Sequence, residues 1–265
     1  MKVTVCDFPD ELHRKSAAWS ALASYVAAAT SDIVVLPEMP FCPWIFCTDT
    51  VDPLLWRAAL AQHDSMIGRL AELACGWVLA SRPIEENGRR YNEAFLWSDR
   101  DGYLSVRRKW YLPDAPTARE TTWFSQGDRN FSPVRVGTLD VGFQLCSEMM
   151  FPEHARDIGL CGAHLIAQPR AGGGGRHWRV ASEMSAIASG CYVASVNRRS
   201  TERDWFSGGS WVLSPHARVL AETNPDDPFA TVDIDLRSAE EAKTHYPRDL
   251  ARMYRHRAQL SDLRT

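Results

Sequence analysis

The chain has 265 residues, of which 45% are hydrophobic and 24% charged, and its formal net charge is −3. This composition is typical of a folded globular protein with one large core. The near-balanced charge argues against a nucleic-acid-binding surface, and no apolar run reaches the roughly 18 residues that a membrane-spanning helix needs. We therefore expect no nucleic-acid partner and no membrane association.

The N-terminal segment and the cysteines indicate the cellular compartment. Residues 1–15 lack the apolar core and the small-residue cleavage site of a signal peptide. The seven cysteines are odd in number and widely scattered, which argues against a disulfide framework. These features predict a cytoplasmic protein.

Strand-like and helix-like segments alternate along the chain. Short runs rich in β-branched residues predict strands at 2–8 and 32–36. Between them, apolar residues at three- and four-residue steps predict a helix whose stripe contains Leu12, Trp19, Leu22, Val26 and Ala29. A second helix is predicted over 53–74, with one face formed by Leu55, Ala59, Met66, Leu70 and Leu73.

The remainder of the chain predicts mostly strands, at 77–81, 93–97, 103–107, 134–136, 141–145, 164–167 and 192–196. The segments 210–213 and 219–222 flank Ser214-Pro215-His216-Ala217 and predict a hairpin. A last strand is predicted at 231–236, followed by a polar helix after Pro247. Alternating strands and helices without a visible linker or repeat predict one α/β domain over residues 1–265, with a mixed sheet.

Three polar residues follow predicted strands: Glu38, Lys109 and Cys146. Ligands gather beyond the carboxyl ends of strands in α/β sheets, so these side chains are candidates for one cleft. A thiol with a pKa of about 8.5 is mostly neutral at pH 7 and needs a base and a nearby cation. Glu38 is the expected base, which later protonates the leaving amine. Lys109 is expected to favour the thiolate and, with the backbone N–H of Ser147, to stabilise an oxyanion.

Each of these residues taken singly is more typical of structure than of catalysis, because a cysteine after an apolar strand is usually a buried packing residue. The surrounding sequence changes this interpretation. Val34-Val35-Leu36-Pro37-Glu38, Arg107-Arg108-Lys109 and Cys146-Ser147-Glu148 resemble the nitrilase, or carbon–nitrogen hydrolase, superfamily in order and spacing. The resemblance continues through Phe151-Pro152-Glu153, the stretch 162–169 and the segments 192–198 and 207–221, and so covers nearly the whole chain.

The resemblance implies a four-layer α-β-β-α sandwich and a homodimer or larger homo-oligomer, with no metal and no organic cofactor. It also implies a second glutamate between the lysine and the cysteine. Glu120 is the matching residue, and its expected role is to hold Lys109 and the substrate in register. A surface carboxylate is the alternative interpretation of Glu120.

The implied reaction is hydrolysis of a small amide or N-carbamoyl compound through a cysteine thioester. A nitrilase is the main alternative. Phe151-Pro152-Glu153 resembles amidases and carbamoylases, whereas Glu148 and Arg119-Glu120-Thr121-Thr122-Trp123 resemble nitrilases. Acyl transfer to an amine and a catalytically silent binding subunit are further alternatives, against which the intact triad argues.

Four residues are predicted to bind substrate: Ser147, Glu148, Arg170 and Arg176. The two arginines flank the glycine run 172–175 and are candidates for bidentate pairing with a substrate carboxylate. A solvated loop is the alternative. Cys42 and Cys47 lack a second ligand pair for zinc. They are interpreted either as an apolar pocket wall or as ordinary core.

Overall fold

The computed structural model describes residues 1–250, which form two β-sheets with helices on their outer faces. The strands are β1 (Lys2–Cys6), β2 (Phe8–Pro9), β3 (Ile33–Val35), β4 (Trp77–Glu86), β5 (Arg89–Ser98), β6 (Gly102–Arg108), β7 (Asp114–Ala115), β8 (Ala118–Arg119), β9 (Val134–Val136), β10 (Leu139–Phe143), β11 (Leu165–Arg170), β12 (Tyr192–Arg199), β13 (Trp211–Leu213), β14 (Val219–Glu222) and β15 (Phe229–Asp233). The α-helices are α1 (Leu12–Ala29), α2 (Pro53–Ile67), α3 (Glu120–Trp123), α4 (Pro152–Leu160), α5 (Arg176–Ser189) and α6 (Leu236–Ala242). Two 3₁₀ helices span Leu70–Leu73 and Cys146–Met150.

Each sheet has a parallel centre with antiparallel strands at its edges. The first sheet has the order β15-β1-β3-β4-β5-β6, and its parallel part pairs Val3 with Ile33 and Ile33 with Trp77. The second sheet has the order β14-β13-β12-β11-β10-β9, with β10, β11 and β12 parallel. The loops that follow the central strands therefore meet at the carboxyl ends of both sheets, where ligand sites form in α/β proteins.

The alternation of side chains along β11 shows how the layers are stacked. Leu165 and Ala167 belong to the core between the two sheets, whereas Ile166 packs with residues of α4 and α5. On the other side of the molecule, Trp19 and Leu22 of α1 are fully buried against the first sheet. The predicted α-β-β-α sandwich is confirmed by this arrangement.

Several predicted elements differ from the structure at their ends. The helix predicted over 53–74 ends at Ile67, and Leu70–Leu73 is a separate 3₁₀ turn after Gly68. The buried face of this helix contains Trp56, Ala59 and His63, whereas Leu55, which was predicted on that face, is exposed.

The C-terminal part confirms the hairpin of β13 and β14 and moves the last strand. β15 ends at Asp233, because the Asp235 side chain accepts a hydrogen bond from the Arg237 N–H and so starts α6. Most of the polar helix predicted after Pro247 lies outside the described residues. Within residues 1–250, no helix is long and apolar enough to cross a membrane.

Candidate active site

Glu38, Lys109 and Glu120 meet in one buried ionic cluster. Lys109 Nζ lies 2.7 Å from Glu38 Oε1 and 2.8 Å from Glu120 Oε1. Glu38 follows β3, Lys109 follows β6, and Glu120 begins α3, so three separate elements contribute. All three side chains are essentially inaccessible to solvent. The predicted convergence of the glutamate and the lysine is therefore observed, and Glu120 is a buried partner of Lys109 rather than a surface carboxylate.

A polar framework holds Glu38 in position. Asn92 Nδ2, on β5, donates to Glu38 Oε1 over 2.8 Å, and the Glu38 N–H donates to the carbonyl of Arg170. The buried Arg198 guanidinium donates to the carbonyls of Glu38, Met39 and Cys42 and pairs with Asp10. This framework fixes the loop that follows β3.

Cys146 stands at a strained turn immediately after Leu145. Its φ is +48°, a left-handed conformation that residues other than glycine rarely adopt. Cys146 also begins a 3₁₀ helix, and N–H groups in the first turn of a helix have no partner within it. The N–H of Ser147 is one of these groups. The Cys146 Sγ lies 4.0 Å from the Ala171 carbonyl, and the residue is only 5% exposed.

The electrostatics of the cluster keep the thiol protonated before substrate binds. Burial raises the pKa of the Cys146 thiol, as do the carboxylates of Glu38 and Glu120, and Lys109 offsets these effects only in part. Burial by itself lowers the pKa of Lys109, but Glu120 and Glu38 outweigh it and the net shift is upward. Lys109 therefore does favour the thiolate, as expected, but its effect is smaller than the combined effect of burial and the two carboxylates.

The pKa of Glu120 is also shifted by its surroundings. Burial raises its pKa to about 7, with Lys109 opposing this shift and Glu38 adding to it. Both glutamates also keep one open oxygen. Among the described residues, Glu38 Oε2 and Glu120 Oε2 are buried and have no hydrogen-bond partner. These two oxygens are acceptors available to a bound molecule.

Glu148 does not face the site, which corrects its predicted role in substrate binding. Its carboxylate is fully buried and forms a bidentate pair with Arg107, at 2.5 and 2.9 Å. It also accepts the N–H groups of Trp110 at 2.7 Å and of Leu145 at 2.8 Å. Glu148 therefore connects the chain next to Lys109 with the chain next to Cys146 and positions the two.

Arg170, Arg176 and Ser147 are the other residues that were predicted to bind substrate. Arg170 ends β11 rather than lying on the glycine-rich loop and is 1% exposed. It donates to Ser195 Oγ and the Gly209 carbonyl, and burial lowers its pKa to about 9. These contacts correct the expectation of a free guanidinium. Arg176 is exposed at the start of α5, so its carboxylate-binding role stays a prediction. The Ser147 hydroxyl donates to the Tyr111 carbonyl.

A cavity of about 540 Å³ opens beside the cluster. It is lined by Trp110, Tyr111, Leu112, Pro113, Thr121, Phe124, Gln126, Ser147 and Phe151. Trp110, Thr121 and Ser147 are the immediate chain neighbours of Lys109, Glu120 and Cys146. Phe124 also belongs to the aromatic cluster that contains Cys42, with Cys47 packed against it, so these cysteines are part of an apolar core behind the cavity.

Sequence reasoning missed Asn92, Arg107 and Arg198. A signal for Asn92 and Arg198 existed, because Asn92 directly precedes the predicted strand 93–97 and Arg198 follows the predicted strand 192–196, and a polar side chain buried beside a strand needs a partner. A partner that both residues share is Glu38, which lies far away in sequence. Within residues 1–250, no three His, Cys, Asp or Glu side chains are grouped so as to hold a metal ion.

Several known proteins match most of the length of this chain. The family model described as carbon–nitrogen hydrolase matches residues 2–244. N-carbamoylputrescine amidase of Arabidopsis thaliana is 26% identical over 251 residues, covering 86% of this chain and 84% of that protein. A nitrilase of Pyrococcus abyssi is 28% identical over 233 residues, 86% of each. A crystal structure of a carbon–nitrogen hydrolase from Helicobacter pylori superposes with a TM-score of 0.83 over 94% of each chain, at 21% identity.

Proposed function

The chain belongs to the carbon–nitrogen hydrolase family, and we propose that it hydrolyses a small amide or N-carbamoyl compound through a thioester on Cys146. The products are the acid and ammonia or an amine. Glu38 is the general base, Lys109 the oxyanion donor, and Glu120 the residue that holds Lys109. Amidase relatives such as the Arabidopsis thaliana enzyme support the reaction class.

The observation that carries the proposal is the open oxygen of Glu38. Its Oε1 is engaged by Lys109 and Asn92, whereas Oε2 has no partner among the described residues. The thiol of Cys146 is neutral at rest because burial and two carboxylates raise its pKa. The thiol proton therefore moves to Glu38 Oε2 as sulfur attacks the carbonyl carbon, so that a free thiolate never has to persist in the buried site.

The oxyanion of the tetrahedral intermediate is stabilised by two donors. A lysine ammonium has three N–H donors, and Glu38 and Glu120 engage two of those of Lys109. The third is directed to the oxyanion, together with the N–H of Ser147. Glu38 then protonates the leaving nitrogen, the carbon–nitrogen bond breaks, and the thioester forms. In the second half, Glu38 takes a proton from water, hydroxide attacks the thioester, and the thiol of Cys146 is restored.

Nitrile hydrolysis is the second candidate, supported by the similarity to the nitrilase of Pyrococcus abyssi. A nitrile gives a thioimidate, which needs an additional water before ammonia leaves. An amide carries its oxygen already and presents N–H donors to the open oxygens of Glu38 and Glu120. This match of donors to acceptors favours the amide.

Two accompanying proposals concern the state of the protein. All seven cysteines are free, which suits a reducing compartment such as the cytoplasm. Assembly into a homodimer or larger homo-oligomer is the other proposal, and sedimentation of the purified chain tests it.

The mechanism is tested by mapping the covalent intermediate. Ammonia release is first screened over amides, N-carbamoyl amino acids and nitriles, and the intact mass is then measured during turnover of a slow substrate. We expect an acyl adduct on the peptide that contains Cys146, and none in Cys146→Ala. Cys161→Ala is the matched control, because this thiol is exposed whereas that of Cys146 is buried, and it keeps full turnover. Full activity in Cys146→Ala would sink the mechanism.

A further inference from the structure

The cavity beside the ionic cluster is where an acyl group bound to Cys146 has room to extend. Its lining includes the chain neighbours of the three central residues, namely Trp110, Thr121 and Ser147. The reacting side chains themselves are almost completely enclosed, since Cys146 is 5% exposed and Lys109 1% exposed. The carboxamide therefore has to reach these buried side chains, while the rest of the substrate occupies the cavity of about 540 Å³.

The cavity wall contains a fixed pair of stacked rings. The rings of Tyr111 and Phe151 lie 3.7 Å apart between centroids at an interplanar angle of 10°. The Tyr111 hydroxyl is hydrogen-bonded to His154 Nε2 over 2.9 Å, and burial lowers the pKa of His154, which keeps the imidazole neutral as an acceptor. The Tyr111 carbonyl accepts the Ser147 hydroxyl over 2.6 Å. The wall is thus a flat apolar surface in place before the ligand binds, which reduces the ordering cost of binding.

The same cavity has no charged side chain among its lining residues. The buried Arg107 is paired bidentately with Glu148, and the buried Arg170 donates to Ser195 and Gly209. An ionised group on the substrate would find no oppositely charged side chain in this lining. The lining therefore disfavours acidic and cationic acyl groups and favours flat neutral ones.

We propose that the preferred substrate is a neutral primary amide whose acyl group carries a planar aromatic ring. This inference rests on the function proposed above. Sulfur of Cys146 bonds to the carbonyl carbon and its proton passes to Glu38. The carbon–nitrogen bond then breaks as Glu38 protonates the nitrogen, and ammonia leaves. Water hydrolyses the aroyl thioester to the carboxylate.

The test compares three primary amides on the wild-type enzyme by ammonia release: benzamide, acetamide and succinamate. We expect kcat/KM for benzamide to exceed that for acetamide at least about tenfold, which is about 1.4 kcal/mol, with succinamate the poorest. Phe151→Leu and Tyr111→Leu should each lower the benzamide-to-acetamide ratio at least fivefold. Tyr25→Leu is the control, because Tyr25 contacts Phe229 away from the cavity, and it leaves the ratio unchanged.

The outcomes separate this inference from the mechanism. Faster turnover of acetamide or succinamate, with an acyl adduct on Cys146, overturns the aromatic preference and leaves the proposed reaction standing. An absence of ammonia and of adduct with every amide removes both. The ranking of the three amides on the wild type decides the question even where a leucine variant fails to fold.

Discussion

Arg107 and Lys109, at the end of β6, belong to two different buried ionic clusters. The clusters differ in how many of their carboxylate oxygens accept hydrogen bonds. Glu148 accepts four hydrogen bonds, two from Arg107 and one each from the Trp110 and Leu145 N–H groups. In the cluster of Lys109, by contrast, Glu38 Oε2, Glu120 Oε2 and Asn92 Oδ1 are buried without a partner among residues 1–250.

This difference distinguishes a structural ion pair from a reactive one. A buried carboxylate with every lone-pair direction occupied contributes to rigidity and has nothing left to offer a ligand. A buried acceptor without a partner is unfavourable in the free protein and becomes favourable when a substrate supplies the donor. The Arg107–Glu148 pair, whose oxygens are all occupied, thus positions the cluster of Lys109. That cluster keeps unpaired carboxylate oxygens and is the one suited to chemistry.

The largest expected effect comes from Glu38→Gln. The amide keeps an oxygen for Lys109 but cannot accept the thiol proton, so we expect kcat to fall about 10²–10⁴-fold. The free energy of unfolding should change much less in Glu38→Gln than in Glu148→Gln. The reason is that the variant removes a buried carboxylate charge that has an unpaired oxygen. Single-turnover kinetics and urea unfolding measure the two quantities. Retained turnover in Glu38→Gln would show that the open oxygen is not the base.

Glu148→Gln should have the opposite profile, with stability as the leading loss. Removing one charge from a buried pair leaves Arg107 uncompensated, which typically costs about 3–5 kcal/mol of unfolding free energy. The double variant Arg107→Met/Glu148→Gln is the matched control, and its loss should be smaller than the sum of the single losses. Urea unfolding of the four proteins completes the cycle. Additive losses would mean that the pair is not coupled.

Glu120→Gln should move the acid limb of the pH–rate profile. In the wild type the pKa of Glu120 is raised to about 7 by burial, so below this pH an additional proton resides on the pair of carboxylates and compromises the base. We therefore expect kcat/KM to fall as the pH drops through about 7. The variant has lost the second carboxylate, and its limb should lie at least one pH unit lower, at a reduced maximal rate. An unmoved limb would assign it to another group.

The smallest expected effect is the preference for an amide over the matching nitrile. An amide nitrogen brings two N–H donors to the open oxygens of Glu38 and Glu120, whereas a nitrile brings none. We expect kcat/KM to favour the amide at least about tenfold, or about 1.4 kcal/mol. The measurement uses one side group on both compounds and follows acid formation. A preference for the nitrile would promote the nitrilase alternative.

The sequence located the reactive residues because their signals are local. Glu38, Lys109 and Cys146 each stand just beyond a predicted strand, and the residues around them resemble one family in order and spacing. The layer architecture followed from the same resemblance. The limits and the buried face of α2 were less predictable: the helix ends at Ile67 rather than at residue 74, and it buries Trp56 and His63 instead of Leu55.

What the tertiary structure alone decided is which polar atoms are satisfied. Glu148 and Arg170 read as substrate ligands from their positions in the sequence, yet their partners make them structural. Those partners are remote along the chain: Arg107 is 41 residues from Glu148, and Gly209 is 39 residues from Arg170. The sequence determines which chemical groups stand at the strand ends, since that depends on neighbouring residues. Whether a group is saturated or open depends on long-range contacts, and these form only when the two sheets pack together.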